Sequence, residues 1–436
     1  MRKVIVGVSV FLVIILLVIW KFAPSFNKPA QKVAGPYTLN VWGLWEEDSF
    51  YKAAIDTYQK SHPNAKIVYT HQTSQNYRTR VQTQVTNNQG PDIFMIHNTW
   101  VPMFQQISAL SDAPSSVINL DDFSKTFYPI AKESLVKNNK IYGLPTEVDG
   151  LALFYNEEIL QAANVAVPTS WDEFVTGAVK MTVKDATGNI KTAGAALGTT
   201  NNVDHWSDIL GLLFFQQPGV NLETPNTQTG ADILRFYTNF ARDPRMKVWD
   251  ANMESSTQAF YSGKLAFYFA PSWRAYDIRT ANPGLKFKVA PVPQLPGGKV
   301  GWASFWSFAV SKNSTHQTEA WEFLKYLTSK ETEKSLYQEA SKVRLFGEPY
   351  SRVDLQSELS SDPIVGAFVN QAPYYKSWYL ASRTQDAGVN EQMIKYYEDA
   401  VNAVASGADP GGALQTLSLG VNEILTKYSP DTAAPK

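Results

Sequence analysis

The chain has 436 residues, 44% of them hydrophobic and 18% charged, with a net charge of −1 and no cysteine. That length exceeds one ordinary hydrophobic core and points to two lobes. The near-neutral charge argues against a nucleic-acid partner, and the missing thiol excludes disulfides, thiolate metal sites, cysteine nucleophiles and lipid attachment through cysteine.

Val4 to Trp20 is almost wholly apolar and follows Arg2 and Lys3. Seventeen residues rise about 25 Å as a helix, enough to span a bilayer. Trp20, Lys21 and Phe22 resemble an interfacial flank, so the segment is read as an uncleaved transmembrane anchor; a cleaved signal peptide is the competing reading. Residues 21–36 are rich in Pro, Ala and Lys and read as a linker reaching about 20–25 Å if flexible. The soluble lobes are then expected on the extracytoplasmic side of the cell membrane.

Tyr37 to Trp42 alternates like a strand, and a helix carrying Tyr51, Ala54, Ile55 and Tyr58 follows Trp45-Glu46-Glu47-Asp48. Lys66–Thr70 reads as a strand, Tyr77, Val81 and Val85 mark a helix, and Asp92–Ile96 is a buried strand before His97-Asn98-Thr99-Trp100. Strand and helix in alternation imply a mainly parallel sheet, with ligands gathering beyond the carboxyl ends of its strands. Two short apolar strands, Ile141–Leu144 and Leu151–Tyr155, flank a polar bend bracketed by Pro145 and Gly150. A carboxylate held between buried strands is costly unless paired, so this bend is read as crossing between lobes and presenting Asp149 to a ligand.

Helices are expected over Trp171–Met181, Trp206–Phe215 and Ile233–Phe240. Gly263 turns a helix end into the wholly apolar strand Leu265–Phe269, and Pro271-Ser272-Trp273 opens another helix with Ser272 as its cap. Phe287–Val292 and Ser307–Val310 read as strands, with Gly301-Trp302-Ala303-Ser304-Phe305-Trp306 between them. The helix Ala320–Leu327 and two C-terminal helices, the last capped by Asp409 and Pro410, complete the chain. The expected division is an anchor at 4–20, a linker at 21–36, one lobe from 37–147 and 287–328, and a second from 148–286 and 329–428.

Catalytic grammar is sparse. No phosphate loop, nucleophile elbow, zinc-protease motif or dinucleotide fingerprint occurs, and the five histidines are scattered, so no metal or cofactor is expected. Glu46, Glu47, Asp48, Glu147 and Asp149 could supply the paired carboxylates of a glycoside hydrolase, which stands as the alternative function. An aromatic ring sits beside a polar residue at several loops: Trp45 with Glu46, Trp100 with Asn98, Trp206 with Asp204, Trp273 with Arg274. Rings cover the apolar faces of a sugar while carboxylates, amides and guanidiniums hold its hydroxyls.

At this point the chain resembles a family. Gly90-Pro91-Asp92-Ile93-Phe94, Lys140-Ile141-Tyr142-Gly143-Leu144-Pro145 with Leu151–Asn156, Pro168-Thr169-Ser170-Trp171, Phe260–Ala266 with Ser272-Trp273, and Ala309–Asn313 before Ala320–Leu324 recur in order. Over residues 37–428 they resemble the extracellular solute-binding proteins of ABC importers, in their maltose-binding-protein-like sugar-binding branch. The resemblance implies an α/β, two-lobe periplasmic-binding-protein-like fold of type II that closes on its ligand. It also implies a carbohydrate ligand, permease subunits as partners, no enzymatic turnover and a monomer. Positions matching the family's pocket are Glu46, Asn98, Trp100, Asp149, Trp273 and Trp306; Trp206, Arg344 and Trp378 stand equally as further contacts or as packing. Many relatives carry a lipidated cysteine, and the helix at Val4–Trp20 is expected to take over that anchoring role here.

Overall fold

A computed structural model describes residues 35–344 and 347–428. The anchor expected over Val4–Trp20, and the linker up to residue 34, lie outside the described residues. Among the described residues no helix is long and apolar enough to cross a membrane.

The first lobe is built on strands β1 (Tyr37–Gly43), β2 (Ala65–His71) and β3 (Ile93–His97). In β1 alternate residues Leu39 and Val41 turn inward, the period-2 signature of a strand. The helix Asp48–Ser61 between β1 and β2 buries Tyr51, Ala54 and Tyr58, spaced to share one face. Strands β4 (Val136–Lys137) and β5 (Lys140–Ile141) form a hairpin, and β6 (Leu144–Pro145) joins the main sheet. The sheet order is β2-β1-β3-β13-β6, with β13 at Trp306–Val310. β1 runs parallel to β3, whereas β13 runs antiparallel to both β3 and β6.

The second lobe holds β7 (Ala152–Asn156), β8 (Val183–Lys184), β9 (Ile190–Ala195), β10 (Leu265–Ala270) and β11 (Phe287–Ala290), in the order β11-β7-β10-β9-β8. Every residue of β10 is buried. Phe267 stacks on Phe174 at 5.1 Å and Phe269 on Trp171 at 5.7 Å, and each such side chain contributes about 2–3 kcal/mol of burial. The helix Trp171–Met181 that carries two of these rings starts with a reciprocal Ser170–Glu173 capping box.

Among the described residues, three segments pass between the lobes. Residues 146–151 lead from β6 to β7, as the polar bend predicts. Residues 291–305 lead from β11 back to β13 and contain β12 (Gly301–Trp302), which pairs with β14 (Tyr375–Lys376). Residues 377–388 lead from β14 to the helix Val389–Ala405, which packs with Pro410–Lys427 on the second-lobe helix Gln228–Arg242.

Two expected boundaries move. Phe287–Ala290 pairs with β7 and so belongs to the second sheet rather than the first. The helix Lys330–Arg344 packs on Asp48–Ser61, so this part of the chain after 329 stays with the first lobe, while the helices from Val389 onward pack in the second as expected. Periodicity identifies a strand or helix, not the sheet or face that receives it. Ser272 does not cap the helix Arg274–Ala281, which has no side-chain cap; its hydroxyl is committed to Asp149 instead.

Gly150 has a specific reason to be glycine. It bridges to Ala303, Leu151 N–H donates to the Trp302 carbonyl at 2.9 Å, and a Cβ on Gly150 would lie 2.0 Å from that carbonyl oxygen. Two crossing segments therefore touch backbone to backbone. Gly150→Ala is expected to lower stability by about 3 kcal/mol, because neither backbone can yield freely. Urea denaturation measures this, and an unchanged midpoint would show that the crossings can part.

Candidate functional site

A cavity of about 380 Å³ opens between the lobes, within the range of small-molecule sites. From the first lobe, Trp45 and Glu46 follow the end of β1, Trp306 opens β13, and Arg344 ends the helix Lys330–Arg344. The first crossing contributes Thr146, Glu147 and Asp149. From the second lobe come Trp273, Tyr276 and Asp277, just beyond β10, and His205 and Asp208 at the start of the helix Trp206–Gln216. Ser382, Arg383 and Gln385 close the wall from the third crossing.

Asp149 is 4% exposed. Its carboxylate accepts from Gly150 N–H at 2.7 Å, and from the Ser272 N–H at 3.1 Å and hydroxyl at 2.9 Å. Burial pushes its pKa up to about 7 despite these donors. The crossing bend is thus clamped to the loop that delivers Trp273.

Trp273 is held from behind. The Arg274 guanidinium lies 4.3 Å from its ring centroid, donates to Asp277 at 2.9 Å and to His205 Nε2 at 3.3 Å. Because Arg274 can only donate, Nε2 of His205 accepts and Nδ1 carries the proton, facing Ser382 Oγ at 3.1 Å and Asp208 Oδ2 at 3.5 Å. Burial lowers the His205 pKa, in keeping with a neutral ring. Asp208 Oδ1 in turn accepts from Trp302 Nε1 at 2.8 Å and Ser382 N–H at 3.0 Å.

On the opposite wall Trp45, 43% exposed, meets Trp306 edge-on at 5.3 Å. Trp306 rests edge-on against Trp100 at 5.1 Å and His97 at 5.2 Å. Arg344 pairs with both Glu46 and Glu348. Exposed aromatic surface and directed acceptors and donors therefore share one concave space.

Of the residues singled out by sequence, the cavity brings together Glu46, Asp149, Trp273, Trp306 and Arg344. Four are placed off its wall. Trp100 is 1% exposed and supports Trp306 from beneath. Asn98 is buried and ties crossings together, accepting from Phe305 N–H at 3.2 Å and donating to Ser377 Oγ at 2.9 Å. Trp206 is buried at the start of its helix, and Trp378 packs against Tyr379 and Tyr397. Sequence reasoning missed Tyr276, Trp302, His205, Asp208 and Arg383. Trp302 lay in a conspicuous aromatic run, but which ring faces inward there depends on the pairing of β12 with β14.

The profile of the bacterial extracellular solute-binding protein family matches residues 42–334. The chain is 23% identical over 343 residues to a maltooligosaccharide ABC transporter solute-binding lipoprotein of Streptococcus pneumoniae, covering 75% of this chain and 77% of that one. It is 24% identical over 263 residues to a Brucella abortus protein described as a binding protein, covering 58% of this chain and spanning 62% of that relative's length. Among solved structures, the sugar-binding protein MalE of Xanthomonas citri superposes with a TM-score of 0.74 at 19% identity, over 90% of this chain and 98% of that one.

Glu147 makes the site sensitive to pH. Burial raises its pKa to about 8, the neighbouring charges of Asp149 and Glu46 add to the effect, and Arg344 and the Trp306 backbone N–H oppose it. A carboxyl whose folded pKa lies above its unfolded value stabilises the fold below the unfolded pKa and loses that contribution as pH rises through the folded one. Glu147→Gln, which never ionises, is expected to be more stable than the wild type at pH 8, with the difference closing towards pH 4. Urea denaturation of the ligand-free protein across that range is the check; parallel curves for both proteins would show that Glu147 carries no such penalty.

Proposed function

Because the chain belongs to the bacterial extracellular solute-binding protein family, we propose that it is the sugar-binding component of an ABC importer. It binds an oligosaccharide between its lobes and delivers it unaltered to the permease. The observation that carries this reading is the interlobe cavity in which Trp45, Trp306 and Trp273 present ring surface beside the acceptors and donors of Glu46, Asp149, Asp208 and Arg344. Rings cover apolar sugar faces, and the polar groups fix the direction of hydroxyls. A ligand touching both walls prefers the closed arrangement and shifts the lobes towards it.

Asp149 would be half of a hydrolase's carboxylate pair, yet it is already engaged by Gly150 and Ser272; this favours binding over turnover. The relatives include a maltooligosaccharide-binding protein, so linear α-1,4 glucans are the first ligands to try. The protein acts outside the cytoplasm as a monomer, held to the membrane by Val4–Trp20. The proposed lobes are 37–145 with 306–376, and 152–290 with 389–428, joined by the three crossings.

Calorimetry with maltooligosaccharides is expected to show saturable binding. Trp273→Ala and Trp306→Ala should each weaken it at least about tenfold, equivalent to about 1.4 kcal/mol, with unchanged circular dichroism. Wild-type affinity in both variants would remove the site, and sugar cleaved on prolonged incubation would favour the hydrolase. Mass spectrometry of the mature protein should find the N-terminal segment intact; a terminus beyond Trp20 would replace the anchor with a signal peptide.

A further inference from the structure

The cavity wall falls into two parts that differ in what their side chains already do. The inner groups are committed. Asp149 accepts from Gly150 and Ser272, Asp208 accepts from Trp302 and Ser382, and Arg344 pairs with Glu46 and Glu348. Trp306 is braced by Trp100 and His97, and Arg274 covers one face of Trp273 at 4.3 Å. Their positions are set by the protein itself, so little ordering is left for a ligand to impose.

The outer margin is not committed. Trp45, Tyr276 and Gln385 also line the cavity, from the first lobe, the second lobe and the third crossing. Trp45 is 43% exposed, Tyr276 39%, and Gln385 is exposed as well. Among the described residues, the Trp45 indole N–H, the Tyr276 hydroxyl and the Gln385 amide have no hydrogen-bond partner, and the Tyr276 ring meets no other ring or cation. Trp45 meets Trp306 edge-on, which leaves at least one of its faces bare. Both rim rings continue an inner ring. Trp45 lies 5.3 Å from Trp306 between centroids. Tyr276, in the helix Arg274–Ala281, comes three residues after Trp273, whose own backbone is helical, so the two share a face about 5–6 Å apart. A single exposed ring needs no explanation, but two on facing walls of one cavity, each extending a row, mark a contact surface. The enclosed space of about 380 Å³ lies near the small end of ligand cavities, and the ring surface runs on past it.

We propose that Trp45, Tyr276 and Gln385 form a further subsite at the cavity mouth, which takes a sugar unit beyond those seated at Trp273 and Trp306, so that the ligand is a chain of three or more units. This rests on the carbohydrate reading above and sets a minimum length within it. The rim rings cover the apolar faces of the outer unit. The Tyr276 hydroxyl and the Gln385 amide, which both donate and accept, direct its hydroxyls. A disaccharide fills the braced inner part and leaves the rim in water.

The test is calorimetry with maltose, maltotriose and maltotetraose, and with cellobiose, cellotriose and cellotetraose as the series of other linkage. In a series that binds, the tri- or tetrasaccharide is expected to bind about tenfold or more tightly than the disaccharide. Tyr276→Ala should bring that ratio down to about threefold or less, whereas Tyr276→Phe, which keeps the ring, should retain most of it. Gln385→Asn suits the left-handed backbone at φ 50° but withdraws the amide, and it should lower the ratio too. Thermal melts establish that the variants are folded. A disaccharide binding as tightly as its longer homologues, or a ratio untouched by both Tyr276→Ala and Gln385→Asn, overturns the subsite and leaves the carbohydrate reading standing. No binding by either series overturns both readings.

Discussion

A single buried carboxylate organises the space between the lobes. Asp149 sits where the chain first leaves the first sheet for the second, and it accepts donors from its own bend and from Ser272. Ser272 immediately precedes Trp273, so the same contact that closes the crossing also places the ring on the far wall. An unpaired carboxylate at 4% exposure would be expensive; the clamp is therefore held by the cost of leaving it. The close approach of Gly150 to the Trp302 carbonyl repeats this logic in the backbone.

The two aromatic walls are supported differently. Trp306 leans on neighbours that are themselves core, Trp100 and His97, and burial holds the His97 pKa down at about 3, leaving that ring neutral. Trp273 is instead held by charge, through Arg274, His205 and Asp208, which draw together the helices Trp206–Gln216 and Arg274–Ala281 and the third crossing. That third crossing has its own signature. Arg383, Gln385 and Ala387 all adopt positive φ, at 63°, 50° and 44°, in the left-handed region that side chains with a Cβ enter at a cost. Arg78 from the first lobe donates to the Asp386 and Ala387 carbonyls, while Asp386 caps the second-lobe helix through Asn390 N–H at 3.0 Å. The C-terminal end of this segment is thus tied to both lobes at once.

Local regularity was legible where one face of an element is buried. Tyr51, Ala54 and Tyr58 marked their helix, Leu265–Phe269 read as the fully buried strand it is, and Asp409 caps the last helix as its position before Pro410 suggests. The polar bend between β6 and β7 was legible as a crossing for the same reason: charge does not interrupt two buried strands without a purpose. Ser272 was misread because a serine before a helix has a local use as a cap, and only the arrival of Asp149, 123 residues earlier in the chain, outcompeted it. Asn98 and Trp100 carry the residue types of a binding loop, but their neighbours Phe305, Ser377 and Trp306 come from distant segments and enclose them.

By itself, then, the amino-acid sequence determined the elements, the two-lobe α/β plan, the family, and the chemistry available to the loops, because these follow from hydrophobic period and from residue types in order along the chain. The tertiary structure decided which sheet receives Phe287–Ala290, which lobe receives Lys330–Arg344, which tryptophans face the cavity, and that Glu46 meets Arg344. Those outcomes depend on side chains separated by hundreds of residues competing for the same buried space, and a one-dimensional pattern holds no record of who the competitor is.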